Sequence, residues 1–292
     1  MHNLNKGLMT FAACAGGDTP LTAATTGARY MQPLKRLDIL GPILLMLLLG
    51  AGARAQAQDQ PPPQVSVQVE HGPPDNPFTV EASIGWDNSI SGNINSSALG
   101  QLNNQAVVIT KNRYEDVYGT GLHVRFGGGY MLDYRTEVKA TFTIQSLQAD
   151  LTPMGEFGSS SLYGQYADYK AYTLDFAGRR YGNAEKPVKF YGEGTIGLGF
   201  IQEIDVLLVA PAAGRYQRAT DFYDQTAAFT VGVNGGVLFD ITRRAGIFAQ
   251  MGLRYTTGMS KVDDLEGTGL ETINDNSARW TLPILIGGRF RF

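Results

Sequence analysis

Apolar side chains recur at every second position along most of this chain after residue 77. The last segment shows this best, since Trp280 and Phe292 share a face without polar side chains and Arg289 lies on the opposite face. A period of two is the signature of a β-strand with one apolar face. The alternation predicts eight strands, near residues 78–88, 118–132, 137–145, 168–181, 187–203, 227–240, 247–255 and 280–292.

Most of these strands are long enough to cross a membrane. A tilted strand needs about 9–11 residues to cross the bilayer core, whereas strands of soluble sheets usually have about five or six. The connections between the strands alternate in length. The short ones lie near residues 132–133, 182–186 and 240–245, and the long ones cover residues 89–117, 147–167, 204–224 and 257–278.

Short periplasmic turns that alternate with long external loops are typical of barrels in the bacterial outer membrane. We therefore predict an all-β fold over residues 78–292, an eight-stranded antiparallel up-and-down transmembrane β-barrel. Aromatic residues on the apolar face should form a girdle at each end. Those beside long loops are Trp86, Tyr118, Tyr172, Tyr255 and Trp280, and those beside short turns or the ends of the segment are Phe78, Tyr130, Tyr134, Phe190, Phe239 and Phe290.

The region before the barrel predicts export. Residues 31–57 combine a basic start, an apolar run too short to span a bilayer comfortably, and small residues for cleavage after Ala55 or Ala57. An uncleaved anchor helix is the alternative. Residues 1–30 form an upstream extension, and we expect translation to begin at Met31. Residues 58–77 are Pro-rich and predict a disordered periplasmic tail.

The amino-acid composition argues against several classes of function. The one cysteine excludes an intramolecular disulfide, and no Lys/Arg cluster stands ready to bind nucleic acid. The barrel contains no cysteine and one histidine, His123, which faces the lumen, so we expect neither a metal, nor a cofactor, nor an enzyme.

Charged residues gather on the inner face of the predicted barrel. An eight-stranded barrel is just wide enough for side chains to fill, and an unpaired buried charge is costly. We therefore predict a plug of ion pairs, with a continuous ion path as the alternative. The predicted network consists of Glu81, Arg125, Glu137, Lys139, Asp175, Arg179, Glu193, Arg254 and Arg289, with Lys189 and Arg291 on the same face.

Three further segments of the sequence each lead to a structural prediction. The last long loop is acidic, and its spacing matches no calcium-binding loop, so we interpret it as solvated. Residues 206–211 are apolar and predict either a hairpin that extends beyond the membrane, which we favour, or a hydrophobic contact patch. Pro283 removes a ladder hydrogen bond and predicts a bulge near the outer rim.

The final strand resembles a known assembly signal. With Trp280, Phe290 and Phe292 on its apolar face, it is similar to the C-terminal strand that the barrel-assembly machinery recognises. The eight-strand layout over residues 78–292 resembles the OmpA/OmpX/OmpW-like superfamily. The resemblance implies a place in the outer membrane of a Gram-negative bacterium, among outer-membrane lipid and lipopolysaccharide, with the assembly machinery as a partner.

Three functions are candidates for a barrel of eight strands. The leading one is a surface barrel whose loops serve a structural, adhesive or host-contact role. A narrow channel for small or hydrophobic solutes is the second. The third is a soluble lipocalin-like barrel, which would require an apolar lumen and a polar exterior instead.

Phe292→Asp is expected to impair assembly more than it lowers the stability of the finished barrel, because it places a charge at the end of the strand that resembles the assembly signal. Surface levels in cells and unfolding of the refolded variant in lipid vesicles measure the two effects separately. Normal surface levels of the variant would contradict this expectation.

Overall fold

The computed structural model describes residues 74–182, 186–212, 216–275 and 277–292. The predicted extension, the predicted signal peptide and residues 58–73 of the predicted tail lie outside these ranges. Among the described residues, no helix is long and apolar enough to cross a membrane. Within the described ranges, one short helix, α1 (Tyr114–Val117), stands among strands and the turns and loops that connect them.

The described ranges contain fifteen strands. In chain order they are β1 (Phe78–Asn95), β2 (Ala98–Leu102), β3 (Gln105–Ile109), β4 (Asn112–Arg113), β5 (Gly121–Met131), β6 (Thr136–Leu147), β7 (Thr152–Phe157), β8 (Ser160–Tyr166), β9 (Tyr169–Tyr181), β10 (Val188–Ile201), β11 (Ile204–Ala210), β12 (Tyr216–Tyr223), β13 (Thr226–Asp240), β14 (Ala245–Thr256) and β15 (Arg279–Arg291).

Eight strands close into an antiparallel barrel. Their order around the ring is β1, β5, β6, β9, β10, β13, β14 and β15, and β15 pairs back with β1. The closing ladder runs from Thr79 opposite Arg291 to Gly92 opposite Arg279. A closed ladder has no free edge, which is the condition for a sheet to lie in hydrocarbon. The predicted fold class is confirmed.

The prediction of a bulge at Pro283 is wrong. Asp87 of β1 lies opposite Pro283 with the same offset as its neighbours, and the irregularity in this ladder falls between Ser89 and Ser91 instead. Proline removes one backbone donor, but the remaining pairs of the closing ladder hold the register on both sides of it.

Side chains of the barrel wall alternate between two environments. Val233 is 63% exposed and Ile286 is 59% exposed on the outside, whereas Glu193 and Arg179 are buried in the lumen. Because backbone pleating sends successive side chains to opposite faces, the alternation in the sequence becomes an apolar exterior and a charged interior. A lipocalin-like barrel needs the opposite arrangement.

The long loops fold into a second sheet at one end of the barrel. This six-stranded sheet has the order β12, β11, β8, β7, β3, β2. The apolar segment after residue 204 is a strand of this sheet, because Ile204–Ala210 pairs with Tyr216–Tyr223, which confirms the favoured hairpin. We call this end of the protein (residues 93–120, 148–168, 202–212, 216–225, 257–275 and 277–278) the cap.

The cap shares one hydrophobic core with the adjoining ends of barrel strands, including Ala171 and Ile201. Ile94, Leu162 and Leu270 are completely buried, although they come from three different loops. The last long loop joins the two edges of the cap sheet, because the Gln101 amide donates to the Thr268 carbonyl at 2.7 Å and the Val262 amide donates to the Phe222 carbonyl at 3.3 Å. Burial and hydrogen bonding together make the loops one folded layer.

The prediction that Tyr118 belongs to the aromatic girdle at this end is wrong. It is 2% exposed, and its hydroxyl donates to the carbonyl of Ala167 at 2.9 Å inside the cap. Trp86 and Trp280, in contrast, are 55% and 40% exposed on the outer wall. Burial raises the pKa of Tyr118, so its hydroxyl stays a neutral donor at physiological pH.

The orientation of neighbouring residues in β13 gives a direct test of the wall. Val233→Arg is expected to lower the free energy of unfolding in lipid vesicles by about 2–4 kcal/mol, because the side chain at this position points outward into hydrocarbon. Asn234→Arg is the matched control, since the Asn234 amide donates to Glu193 in the lumen at 3.1 Å. Equal folding of Val233→Arg and the parent, with loss of folding in Asn234→Arg, would invert the assignment of faces.

Candidate functional site

The middle of the lumen is filled by five charged side chains. The Glu193 carboxylate lies 2.6 Å from the ammonium of Lys139 and 2.7 Å from the guanidinium of Arg179. The Glu81 carboxylate contacts Lys139 and lies 3.0 Å from Arg179. Arg125 bridges the two carboxylates, at 3.5 Å from Glu81 and 3.3 Å from Glu193. Each carboxylate therefore meets three cations, which is how a dry interior can hold charge.

Strand register explains why these side chains meet. Glu193 of β10 lies directly opposite Arg179 of β9, and Arg179 lies directly opposite Glu137 of β6. Cross-strand neighbours of opposite charge on one face are close enough to pair. Arg179 thus sits between two acidic neighbours on the inner wall.

Uncharged polar side chains complete the network. The Gln250 carbonyl oxygen accepts from Arg125 at 2.9 Å and from the Tyr191 hydroxyl at 3.1 Å. Neither Gln250 nor Tyr191 belongs to the network predicted from charge alone. Both occupy inward positions of their strands, so the period of two could have identified them.

A second group lies nearer the short turns. The Glu137 carboxylate is 3.1 Å from Arg289 and accepts from the Tyr181 hydroxyl at 2.6 Å and from the Thr79 hydroxyl at 2.5 Å. A small apolar cluster fills the space around it. Its buried members are Met131, Tyr181, Tyr191, Leu238 and Phe248.

A third group lies toward the cap. Arg254 donates to both oxygens of Asp175 at 2.6 Å, and the Thr230 hydroxyl donates to Asp175 at 3.0 Å. With this pair, every residue of the predicted lumen network takes part in an ion pair. Lys189 pairs with Asp240 at 2.7 Å near the short turns, and Arg291 is half-buried at the same end.

A further layer of polar side chains lies beneath the cap, and the network predicted from the sequence does not include it. The Gln145 amide donates to Asp87 at 2.6 Å, and Arg279 lies 3.7 Å from Asp87. The guanidinium of Arg279 stacks on the ring of Tyr169, with its carbon 3.9 Å from the ring centre, and faces Tyr114 at 5.6 Å. Asp87 stands at an inward position in the middle of β1, and Arg279 stands at an inward position as the first residue of β15, so the alternation contained a signal for both.

These layers leave the lumen filled along its length. At the short-turn end, Tyr181 and Phe248 are 2% exposed, and at the other end Tyr114 and Tyr169 are each 1% exposed beneath the cap core. The charged side chains between them are also buried, with Arg179 at 1% and Glu137 at 0%. The lumen in this conformation is therefore a packed interior.

The predicted assembly residues lie on the outer face of the closing strand. Phe290 and Phe292 are 41% and 53% exposed, and their ring centres are 5.4 Å apart. The Trp280 ring lies 5.0 Å from that of Tyr255 at the other end of the strand. Their orientation leaves them accessible on the wall, and recognition by an assembly machinery stays a prediction.

The acidic last loop is ordered by local contacts. Lys261 lies 3.0 Å from Asp275, and a hydrogen bond to Asp275 raises the pKa of Lys261. Backbone amides, including that of Gly269 at 3.0 Å, lower the pKa of Glu271. Within the described ranges, no group of three or more His, Cys, Asp or Glu side chains is arranged to hold a metal ion.

No protein-family model matches the sequence, and no curated protein is recognisably similar to it. Among solved structures, neisserial surface protein A is 16% identical, with a TM-score of 0.38, over 74% of this chain and 97% of that one. The outer membrane protein OprG from Pseudomonas aeruginosa is 12% identical, with a TM-score of 0.42, over 76% and 98%.

The outer membrane protease OmpT from Escherichia coli is 10% identical, with a TM-score of 0.36, over 77% of this chain and 99% of that one. Similarities at this level transfer no residue role to this chain. The closed eight-stranded ladder and its apolar wall are the features that agree with the outer-membrane barrel superfamily suggested by the sequence.

Removal of one central carboxylate tests the network. Glu193→Gln is expected to lower the free energy of unfolding by about 3–5 kcal/mol, because Arg125, Lys139 and Arg179 would then share Glu81 alone in a buried site. Glu156→Gln, on the exposed side of the cap sheet, is the control and should change stability by no more than about 0.5 kcal/mol. Urea unfolding in lipid vesicles measures both, and equal stabilities would refute the role given to Glu193.

Proposed function

We propose that this protein is a non-conducting outer-membrane barrel that presents a rigid, folded cap to the outside of a Gram-negative cell. The observation that carries the proposal is the combination of a filled lumen with loops that share one hydrophobic core. A pore needs a continuous water-filled interior, whereas this lumen holds paired charges and buried rings. A recognition surface needs ordered loops, and the cap sheet supplies them.

The membrane position rests on the wall. An exterior of exposed Phe, Val, Ile and Leu side chains is costly in water and favourable in lipid. The cap end carries the long loops and therefore faces the outside, while the short turns face the periplasm. Outer-membrane lipid, lipopolysaccharide and the assembly machinery are the partners that this placement implies.

The exposed side of the cap is acidic, which favours a partner with a basic surface. Carboxylates outnumber cations on it, because within the described ranges its exposed cations are Lys111, Arg113 and Lys261, and Arg218 is half-exposed. Its exposed carboxylates are Glu115, Asp116, Asp150, Glu156, Asp168, Glu203, Asp205, Asp221, Asp224, Asp263, Asp264, Glu266 and Asp275.

A catalytic role is no part of the proposal. His123 is the one histidine within the described ranges, and it is 1% exposed with no hydrogen bond to a nucleophile or an acid there. A general base must lie within hydrogen-bond reach of the proton that it abstracts, and a substrate must reach it. Neither condition is met at His123 in this conformation.

Planar-bilayer recordings separate this proposal from the narrow channel. The refolded chain from residue 58 onward is expected to insert without discrete conductance steps, because side chains fill the lumen from Glu137 to Arg279. A trimeric porin recorded in the same lipid serves as the positive control. Reproducible single-channel steps from the refolded protein would overturn the non-conducting assignment.

A further inference from the structure

The apolar outer wall of the barrel carries two exposed cations. Among the described residues that the eight barrel strands direct outward, Lys170 and Arg180 are the charged ones. Lys170 stands at the cap end of β9, whereas Arg180 stands at its short-turn end, directly opposite Thr136 on one side and Gly192 on the other. A charge on the lipid-facing side of a barrel is costly unless its side chain reaches the headgroups or a partner.

Arg180 lies on the membrane side of the aromatic girdle at the short-turn end. The Gly182 amide donates to the Phe190 carbonyl at 2.8 Å, and Gly192 lies opposite Arg180. Phe190 is therefore one pleat nearer the short turns than Arg180, and its ring is 58% exposed on the wall. A guanidinium in this position meets the boundary between acyl chains and headgroups.

The protein supplies no counter-charge at this point. Arg180 forms no ion pair with any described residue. It attracts Asp133 of the neighbouring turn only from beyond ion-pair distance, and that carboxylate already accepts from the backbone amides of Arg135 and Thr136 at 2.6 and 2.8 Å. The negative group that would neutralise Arg180 must then come from the surroundings of the barrel.

The whole short-turn end is basic. Residues 132–136, 180–189 and 240–246 contain six cations and three carboxylates. Lys189 pairs with Asp240 at 2.7 Å, and the other five cations are exposed. We call these five the basic collar, and they are Arg135, Arg180, Lys186, Arg243 and Arg244. Because the cap is acidic, positive charge is concentrated at one end of the barrel.

A patch of bare backbone adjoins Arg180, which is the next outward residue after Gly178 in β9. Gly178 lies directly opposite Gly194, and Gly192 lies directly opposite Gly235, so four outward positions on β9, β10 and β13 carry no side chain. A Cβ atom at any of the four would meet nothing within 4 Å, and none has a positive φ. Neither packing nor backbone conformation among the described residues therefore requires glycine there. Glycine inside a strand weakens it and often marks the close approach of a ligand.

The missing side chains leave an apolar depression in the wall. Gly178 and Gly194 line it together with Phe176, Ile196 and Val233. These three apolar neighbours are 63%, 53% and 63% exposed, so they stand above the bare backbone between them. A depression that is one side chain deep and apolar throughout fits a hydrocarbon chain.

We propose that this surface binds one anionic phospholipid, with its phosphate at Arg180 and one acyl chain over Gly178 and Gly194. The phosphate supplies the counter-charge that the protein lacks there, and the basic collar adds attraction over a longer range. The acyl chain covers the bare backbone. The proposal rests on the proposed membrane placement, which turns the short turns toward the periplasm and thus toward the phospholipid leaflet.

Lipid titrations of the refolded protein test the headgroup preference. The chain from residue 58 onward is refolded in a zwitterionic detergent, and native mass spectrometry counts the bound phosphatidylglycerol or phosphatidylcholine molecules with identical acyl chains. We expect one phosphatidylglycerol molecule with a dissociation constant about fivefold lower than that of phosphatidylcholine, the effect of about one neutralised cation. Equal dissociation constants for the two lipids would overturn the proposal.

The two outward cations provide a matched pair of variants. Arg180→Gln is expected to remove the preference for phosphatidylglycerol, because the phosphate loses its partner. Lys170→Gln removes the same charge from the cap end of the same strand and should preserve the preference. An equal loss in both variants would show that overall charge decides the binding, and the site at Arg180 would then be refuted.

The glycines are tested by filling the depression. The double variant Gly178→Leu with Gly194→Leu is expected to weaken the binding of both lipids about tenfold, which corresponds to about two methylene groups left uncovered. Gly288→Leu is the control, because Gly288 also faces outward but lies between Ala82 and Ile247, on other strands. Unchanged lipid binding by the double variant would overturn the assignment of the acyl chain. The conductance of the barrel is measured separately, so the non-conducting assignment stands or fails independently of these titrations.

Discussion

The fold depends on the pairing of charge inside a lumen with no room for bulk water. A wall that meets lipid can carry its polar side chains on the inner face only, and an eight-stranded barrel brings them within contact distance. Glu81 and Glu193 make this possible, because each holds Arg125, Lys139 and Arg179 together. Without two carboxylates in the centre, three buried cations would repel one another.

Arg279 connects this interior to the cap. It pairs with Asp87 on the lumen side and stacks on Tyr169, while the Tyr114 hydroxyl donates to the Ser277 carbonyl at 2.9 Å on the cap side. The cap is therefore built on the barrel rather than tethered to it. This continuity explains how long loops become an ordered surface, and why the same packing blocks the lumen.

Apart from the hairpin that begins at residue 204, the cap sheet could not be recognised from the sequence, for a physical reason. The strands of its sheet are short, from five residues in β2 to eight in β12, and the hairpins of three different loops join only through the pairs β3–β7 and β8–β11. A weak local pattern gains stability from partners that are distant in the chain, and the chain alone does not name those partners. Tyr118 shows the consequence, since its aromatic character suggested a girdle, whereas its place beneath the cap sheet buries it.

The sequence by itself determined the barrel strands, the two faces of the wall and the charged residues inside, because pleating assigns each side chain to a face from its position alone. The same alternation also places Asp87 and Arg279 on the inner face. Only the tertiary structure decided which charges meet, because partners such as Arg125 and Gln250 lie far apart in the chain. The tertiary structure also decided how the cap packs and that His123 is buried without a hydrogen-bond partner among the described residues, because closure of the barrel and docking of the loops set the surroundings of both.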